Sequence, residues 1–159
     1  MSALIWAANI LGWPSIHIVI GSAAVRIPRS HFEHDNWLTA PRSWEHSGRI
    51  YRDLFAIRKW KSKLPDGAPW VGGMAKRHMF GRDESTLDEF VIETRRAEIA
   101  HWAMMCCAPA FFFWNPPWAR LVMLAYAMAA NLPCILAQRY NRLTLARALR
   151  TRNRALSSL

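Results

Sequence analysis

No Lys, Arg, Asp or Glu occurs between Ala3 and Val25. About 20 apolar residues carry a helix across a hydrocarbon core roughly 30 Å thick, so this run predicts a membrane span. A cleaved signal peptide is the rival reading, with Ser22-Ala23-Ala24 as its cleavage site. No Lys or Arg precedes the apolar run, however, and a signal peptide needs that charge. The reading is a retained span, kinked at Gly12 and Pro14. His17 falls near mid-depth, where a packed or interhelically bonded imidazole is the plainer interpretation and a functional one the sharper.

The remaining charge is segregated. All eleven Asp and Glu lie between Glu33 and Glu98, and twenty of the twenty-one Lys and Arg lie in residues 26–98 or 139–159, leaving only Arg120 outside. Net charge is +10, yet 52% of residues are apolar and nine are Trp. That combination fits a membrane protein with a charged middle and a basic tail. Zinc-finger spacing, aromatic RNA-binding signatures and Gly-rich phosphate loops are missing, so no nucleic-acid partner is expected. Cys106, Cys107 and Cys134 sit in apolar stretches as core filler, since an odd, buried set does not suit a disulfide framework.

The predicted architecture is all-α: one membrane domain over residues 1–159, with three spans at about 3–25, 99–114 and 118–138. Asn115-Pro116-Pro117 marks the tight turn between the last two, because proline breaks a helix interior. Three spans put the loop 26–98 and the tail 139–159 on one side, and the positive-inside rule makes that side cytoplasmic. The chain is thus expected in the cell membrane, multi-pass, with its N-terminus outside. Within the loop, Ile50, Leu54 and Ile57 recur at near-helical spacing beside Tyr51, Phe55 and Trp60, with Arg58 and Lys61 among the flanking charges. An amphipathic helix over Arg49–Lys63, lying in the headgroup layer, is expected. Pro65-Asp66-Gly67 would end it and Gly72-Gly73 mark further loop. Ser85 and Asp88 have capping-box spacing for a helix that runs from Leu87 into the second span.

That helix carries the candidate chemistry. Phe90 to Trp102 reads F-V-I-E-T-R-R-A-E-I-A-H-W. Glu93 and Arg96 can pair with each other, and Arg95 lies one turn before Glu98. Glu98 falls on the apolar face near Leu87 and Val91, with His101 about 60° further round at 100° per residue. A carboxylate and an imidazole in an apolar setting suit proton transfer from an attacking hydroxyl. Glu-x-x-His is also the unit of di-iron bundles, but those need a second such unit and further Glu, which this chain lacks, so no metal is expected. The hairpin of spans brings Gln138-Arg139-Tyr140-Asn141-Arg142 to the same face of the membrane, where arginines suit phosphates. Asn131, inside the third span, reads on its residue type as interhelical glue.

As a pattern, these residues resemble the glycosyl-diaponeurosporenoate acyltransferases of bacterial carotenoid biosynthesis. The resemblance runs in order through Arg26-Ile27-Pro28 with His31-Phe32, Trp44-Glu45 with Gly48, and Arg58-Lys59-Trp60-Lys61 with Asp66-Gly67. It continues through Ile92-Glu93-Thr94, Arg96-Ala97-Glu98 with His101-Trp102, Tyr126-Ala127 with Asn131 and Pro133, and Gln138 to Arg142. Two stretches depart from it: Leu143-Thr144 replaces a proline and a basic residue, and Pro69 to Gly81 differs. The resemblance implies a membrane enzyme that moves a fatty acyl group from a thioester of coenzyme A or acyl-carrier protein to a sugar hydroxyl of a carotenoid glycoside, with no other cofactor. On that reading His101 is the general base and Glu98 orients it or stabilises its charged form. Arg96, Arg139 and Arg142 would bind the donor's phosphates or the oxyanion. The segment around Trp60, with Arg58 and Lys61, would hold the acceptor headgroup. Glu93, Asn131, Gln138, Tyr140 and Asn141 complete the expected substrate and donor contacts. Membrane lipid and an oligomer or larger complex are further expected partners. The alternative is a non-catalytic subunit that scaffolds a pigment or lipid complex.

Overall fold

The computed structural model describes residues 2–64 and 84–157. The expected turn at Pro65-Asp66-Gly67, the Gly72-Gly73 loop, the divergent stretch 69–81 and the side chain of Ser85 lie outside the described residues. Within them every regular element is helical. Helix α1 spans Ala3–Arg26, α2 Arg49–Asp53, α3 Glu84–Cys106 and α4 Pro117–Leu156; short 3-10 turns occupy Arg29–Phe32, Ser43–Gly48, Ile57–Lys59, Lys61–Lys63 and Ala108–Phe113. Helix α3 packs along α4 and against α1.

Local chemistry sets the helix ends. Ser2 caps α1 by accepting from the Ile5 N–H, and Arg26 Nη1 donates to Ser22 O at 2.9 Å in the last turn. The helix stops because Ile27 precedes Pro28, which disfavours helical backbone, and Ile27 is extended. Helix α4 starts at Pro117, the position where a missing N–H costs nothing. The turn before it is tied to α1 by two reciprocal amides. Asn9 Nδ2 donates to Asn115 Oδ1 and Asn115 Nδ2 to Asn9 Oδ1, both at 2.8 Å.

Three apolar clusters hold the bundle. Trp13 stacks on Phe111 at 4.6 Å between centroids, with Ala108 and Ala127 around them. Ala24 of α1 packs on Ala100 and Met104 of α3, and Ile16 and Ile20 extend that seam. Tyr51 and Ile57 pack on Ala137, Tyr140 and Leu143 of α4. At Gly12 the approach is close: a Cβ there would lie 2.9 Å from Phe111 Cε1.

Three expectations are corrected. Arg49–Lys63 is not one amphipathic helix; α2 ends at Asp53 and two 3-10 turns follow, because Ala56 adopts a left-handed backbone at φ 47°. The stretch 99–114 is not one helical span: α3 ends at Cys106 and a 3-10 turn with Pro109 at its start takes over. The basic tail is not a separate segment, since α4 runs on to Leu156 without a break at Gln138. Among the described residues two helices, Ala3–Arg26 and Pro117–Thr151, are long and apolar enough to cross a membrane. Their outer faces expose Leu4, Ile10, Leu11, Ile18, Val19, Leu121, Val122 and Met128, apolar surface that a soluble protein rarely leaves uncovered.

Candidate active site

The charged helix and the return helix meet around a buried ion cluster. Glu98 of α3 and Glu45 of the Ser43–Gly48 turn are both 0% exposed. Arg139 of α4 reaches both: Nη1 lies 2.6 Å from Glu98 Oε1, and Nε and Nη2 lie 2.8 and 3.0 Å from the two Glu45 oxygens. Arg142, one turn on, places Nη2 2.5 Å from Glu98 Oε2. Two carboxylates and two guanidiniums thus compensate one another, the condition under which buried charge is tolerated.

The loop before Glu45 is shaped to serve this cluster. Asn36 Oδ1 accepts from the N–H groups of Leu38 and Thr39, a local turn that fixes the following carbonyls. Leu38 O and Ala40 O then accept from Arg139, and Thr39 O from Arg142, at 2.8–2.9 Å. Glu45 itself accepts from the Tyr51 hydroxyl and from the Arg42 N–H. Burial pushes the Glu45 carboxyl up, but the hydrogen bonds from Arg139, Tyr51 and Arg42, with the charge of Arg139, outweigh it and hold it below its ordinary value. Burial and the neighbouring Glu45 together raise the Tyr51 phenol, which stays a donor. The chain between them turns through three left-handed residues, His46, Ser47 and Gly48 at φ 47°, 55° and 88°. Such backbone costs about 1–2 kcal/mol for each non-Gly residue, and here it lets Glu45 and Tyr51 face the same guanidinium.

One turn along α3 from Glu98, His101 has a different partner. Its Nδ1 lies 3.0 Å from Asn131 Oδ1, and Asn131 Nδ2 donates to Ala127 O at 2.9 Å. The amide is therefore oriented with its oxygen toward the ring, so Nδ1 carries the hydrogen and Nε2 keeps its lone pair. His17 of α1, bonded through Nδ1 to Trp13 O at 2.8 Å, has the same tautomer and lies within electrostatic reach of His101.

The expected Glu98–His101 pairing is replaced by this arrangement, because two guanidiniums occupy both oxygens of Glu98. Arg139 also departs from the expected donor-binding role: its nitrogens already serve five acceptors. Arg142 is committed through Nη2, but its Nε and Nη1 are buried without a partner among the described residues. Arg96 pairs with Glu93 at 2.9 Å as expected, and its guanidinium lies 5.1 Å from the Phe32 ring. Burial raises the Glu93 carboxyl, with Arg96 working against the shift and Glu89 adding to it. Arg95 pairs with Asp35 at 2.7 Å rather than with Glu98.

The other expected residues form a third group further along α4. Lys61 Nζ donates to Asn141 Oδ1 at 2.6 Å and lies 4.8 Å from the Tyr140 ring. Trp60 packs against the Tyr51–Tyr140 cluster and donates to Phe55 O. Arg58 is exposed nearby, and Gln138 is half-buried. Sequence reasoning did not single out Glu45 or Tyr51 as site residues. The only signal was that Glu45 belongs to a Trp-Glu pair flanked by Gly48.

The comparisons with known proteins agree with one another. The profile of a family described as glycosyl-4,4'-diaponeurosporenoate acyltransferase matches residues 34–151. Proteins of that name from Staphylococcus aureus strains bovine RF122 / ET3-1, USA300 and Newman are each 31% identical over 140 residues, covering 87% of this chain and 84% of theirs. No solved structure matches significantly.

Proposed function

Because the chain belongs to the glycosyl-4,4'-diaponeurosporenoate acyltransferase family, we propose that it transfers a fatty acyl group from an activated thioester to a sugar hydroxyl of a glycosylated carotenoid. The observation that carries the mechanism is the Asn131–His101 hydrogen bond, which makes Nδ1 the donor and Nε2 the proton-accepting nitrogen of the neutral imidazole. Nε2 takes the proton of the sugar hydroxyl as its oxygen attacks the thioester carbonyl. The tetrahedral adduct collapses, the C–S bond breaks, and the imidazolium returns its proton to the departing thiolate. A C–O ester bond has then replaced the thioester.

Glu98 acts in this reading as a positioning residue. Clamped by Arg139 and Arg142, it fixes α3 against α4 and so holds His101 at the level of Asn131. Three spans remain the reading of topology, with residues 99–114 crossing as part α-helix and part 3-10 turn. The basic loop and tail face the cytoplasm, where activated thioesters are made, and the carotenoid chain lies against the apolar outer faces of α1 and α4.

The test is the lipid and pigment profile of cells with and without the protein. An acylated glycoside that disappears on deletion, with its unacylated precursor accumulating, is expected. An unchanged profile overturns the reading, and stoichiometric pigment on the purified protein without turnover would assign it a scaffold role instead.

A further inference from the structure

We propose that a basic cleft beside the end of α4 binds the phosphate of a phosphopantetheine thioester, the group shared by coenzyme A and acyl-carrier protein. The inference rests on the acyl-transfer reading of His101 and deepens it by naming the donor's handle. The cleft has a volume of about 560 Å³ and is lined, among the described residues, by Arg58, Lys61, Tyr140, Asn141, Thr144 and Phe90, with two apolar residues of α4 beside them.

Its chemistry selects an anion. Two cations line it and no carboxylate does, among the described residues. Lys61 is not a loose side chain: the Asn141 hydrogen bond and the Tyr140 ring hold its ammonium in place. Arg58 is exposed and supplies the planar donor fork that suits a phosphate. Thr144 also lines the cleft, with its Oγ1 closed to solvent on the side of Gly48. A sugar is uncharged and gains less from paired cations than a phosphate does, which argues against the acceptor headgroup here.

Its position fits the thioester. Thr144 lies thirteen residues beyond Asn131 on one helix, about 20 Å at 1.5 Å per residue. An extended phosphopantetheine arm has a comparable reach, so a phosphate in the cleft puts the sulfur at the level of Asn131 along the axis of α4.

The full chain, purified in detergent, is titrated calorimetrically with coenzyme A, with pantetheine, and with carrier protein bearing or lacking its phosphopantetheine. Coenzyme A or the loaded carrier should bind, and Arg58→Gln should weaken that binding ~10-fold or more, as loss of a charge-assisted hydrogen bond does. Pantetheine, without the phosphate, should bind Arg58→Gln and the unaltered protein alike. In turnover, Arg58→Gln should raise the donor KM with little change in kcat or in the acceptor KM. The proposal is overturned if Arg58→Gln binds both donors normally, if only the acceptor KM rises, or if Arg58 governs retention of anionic phospholipid vesicles instead. His101→Gln should bind coenzyme A normally. Arg58-dependent binding without any turnover would sink the acyl-transfer reading alone, and turnover indifferent to Arg58 would sink the cleft alone.

Discussion

Arg139 places Nη1 2.6 Å from Oε1 of Glu98, joining residues 41 apart in sequence and two helices face to face. The same guanidinium holds Glu45, so one side chain ties α4 to α3 and to the left-handed turn that carries Glu45. Removing it leaves Glu45 without a cation and Glu98 with Arg142 alone, both where solvent does not reach.

Arg139→Met should therefore destabilise the protein by about 3–5 kcal/mol, the range for breaking a buried ion pair from one side. Arg139→Lys should recover little, since a single ammonium cannot span both carboxylates. Thermal unfolding in detergent measures both, and an unchanged midpoint for Arg139→Met would show that the cluster braces nothing.

Glu45 gives the cluster an acid limit. Its folded-state value is held below the unfolded value of 4.5. A depressed carboxyl contributes stability that is present above the unfolded value and is lost as pH falls through the folded one. The unfolding midpoint should hold at neutral pH and drop below about pH 4.5. In Glu45→Gln the midpoint should be lower at neutral pH and its fall in acid shallower.

Gly12 sets how near α1 comes to the Phe111 ring. That ring cannot swing aside, because Trp13 stacks on it at 4.6 Å. Gly12→Val should cost about 1–3 kcal/mol by overpacking, read as a lowered midpoint, whereas Ser15→Ala on the exposed face should change little. Equal midpoints for Gly12→Val and the unaltered protein would contradict the packing of α1.

Asn131 should matter for rate more than for binding. Asn131→Leu frees the imidazole to rotate and to change tautomer, and a loss of up to roughly 10²-fold in kcat is expected for a misplaced catalytic group. The KM values should stay within a few-fold, and Asn131→Asp, which still accepts from Nδ1, should retain more activity than Asn131→Leu.

What the sequence revealed was local. The charge-free run from Ala3, the turn at Asn115-Pro116-Pro117 and the burial of Glu98 on an apolar face all follow from spacing along one chain segment. Glu93 and Arg96 are three apart, and they pair as their spacing suggests. The partner of Glu98 is 41 residues away and that of Glu45 94 residues away, and periodicity carries no information about such pairs. Nor could it show that Ala56 would turn left-handed and divide Arg49–Lys63, because alanine favours helix wherever packing permits. The Glu98–His101 pairing failed for a related reason. Helical proximity was real, but two guanidiniums from α4 compete for the carboxylate far better than a neutral imidazole does.

The central claim is that Nε2 of His101 takes the proton of the acceptor hydroxyl. Acyl transfer by membranes carrying His101→Gln tests it most directly, with insertion and amount of the variant verified and coenzyme A binding as the check on its fold. The account predicts that turnover falls by about 10²–10⁴-fold, the range for removing a general base, while the donor still binds. Undiminished turnover by the properly inserted variant would contradict it.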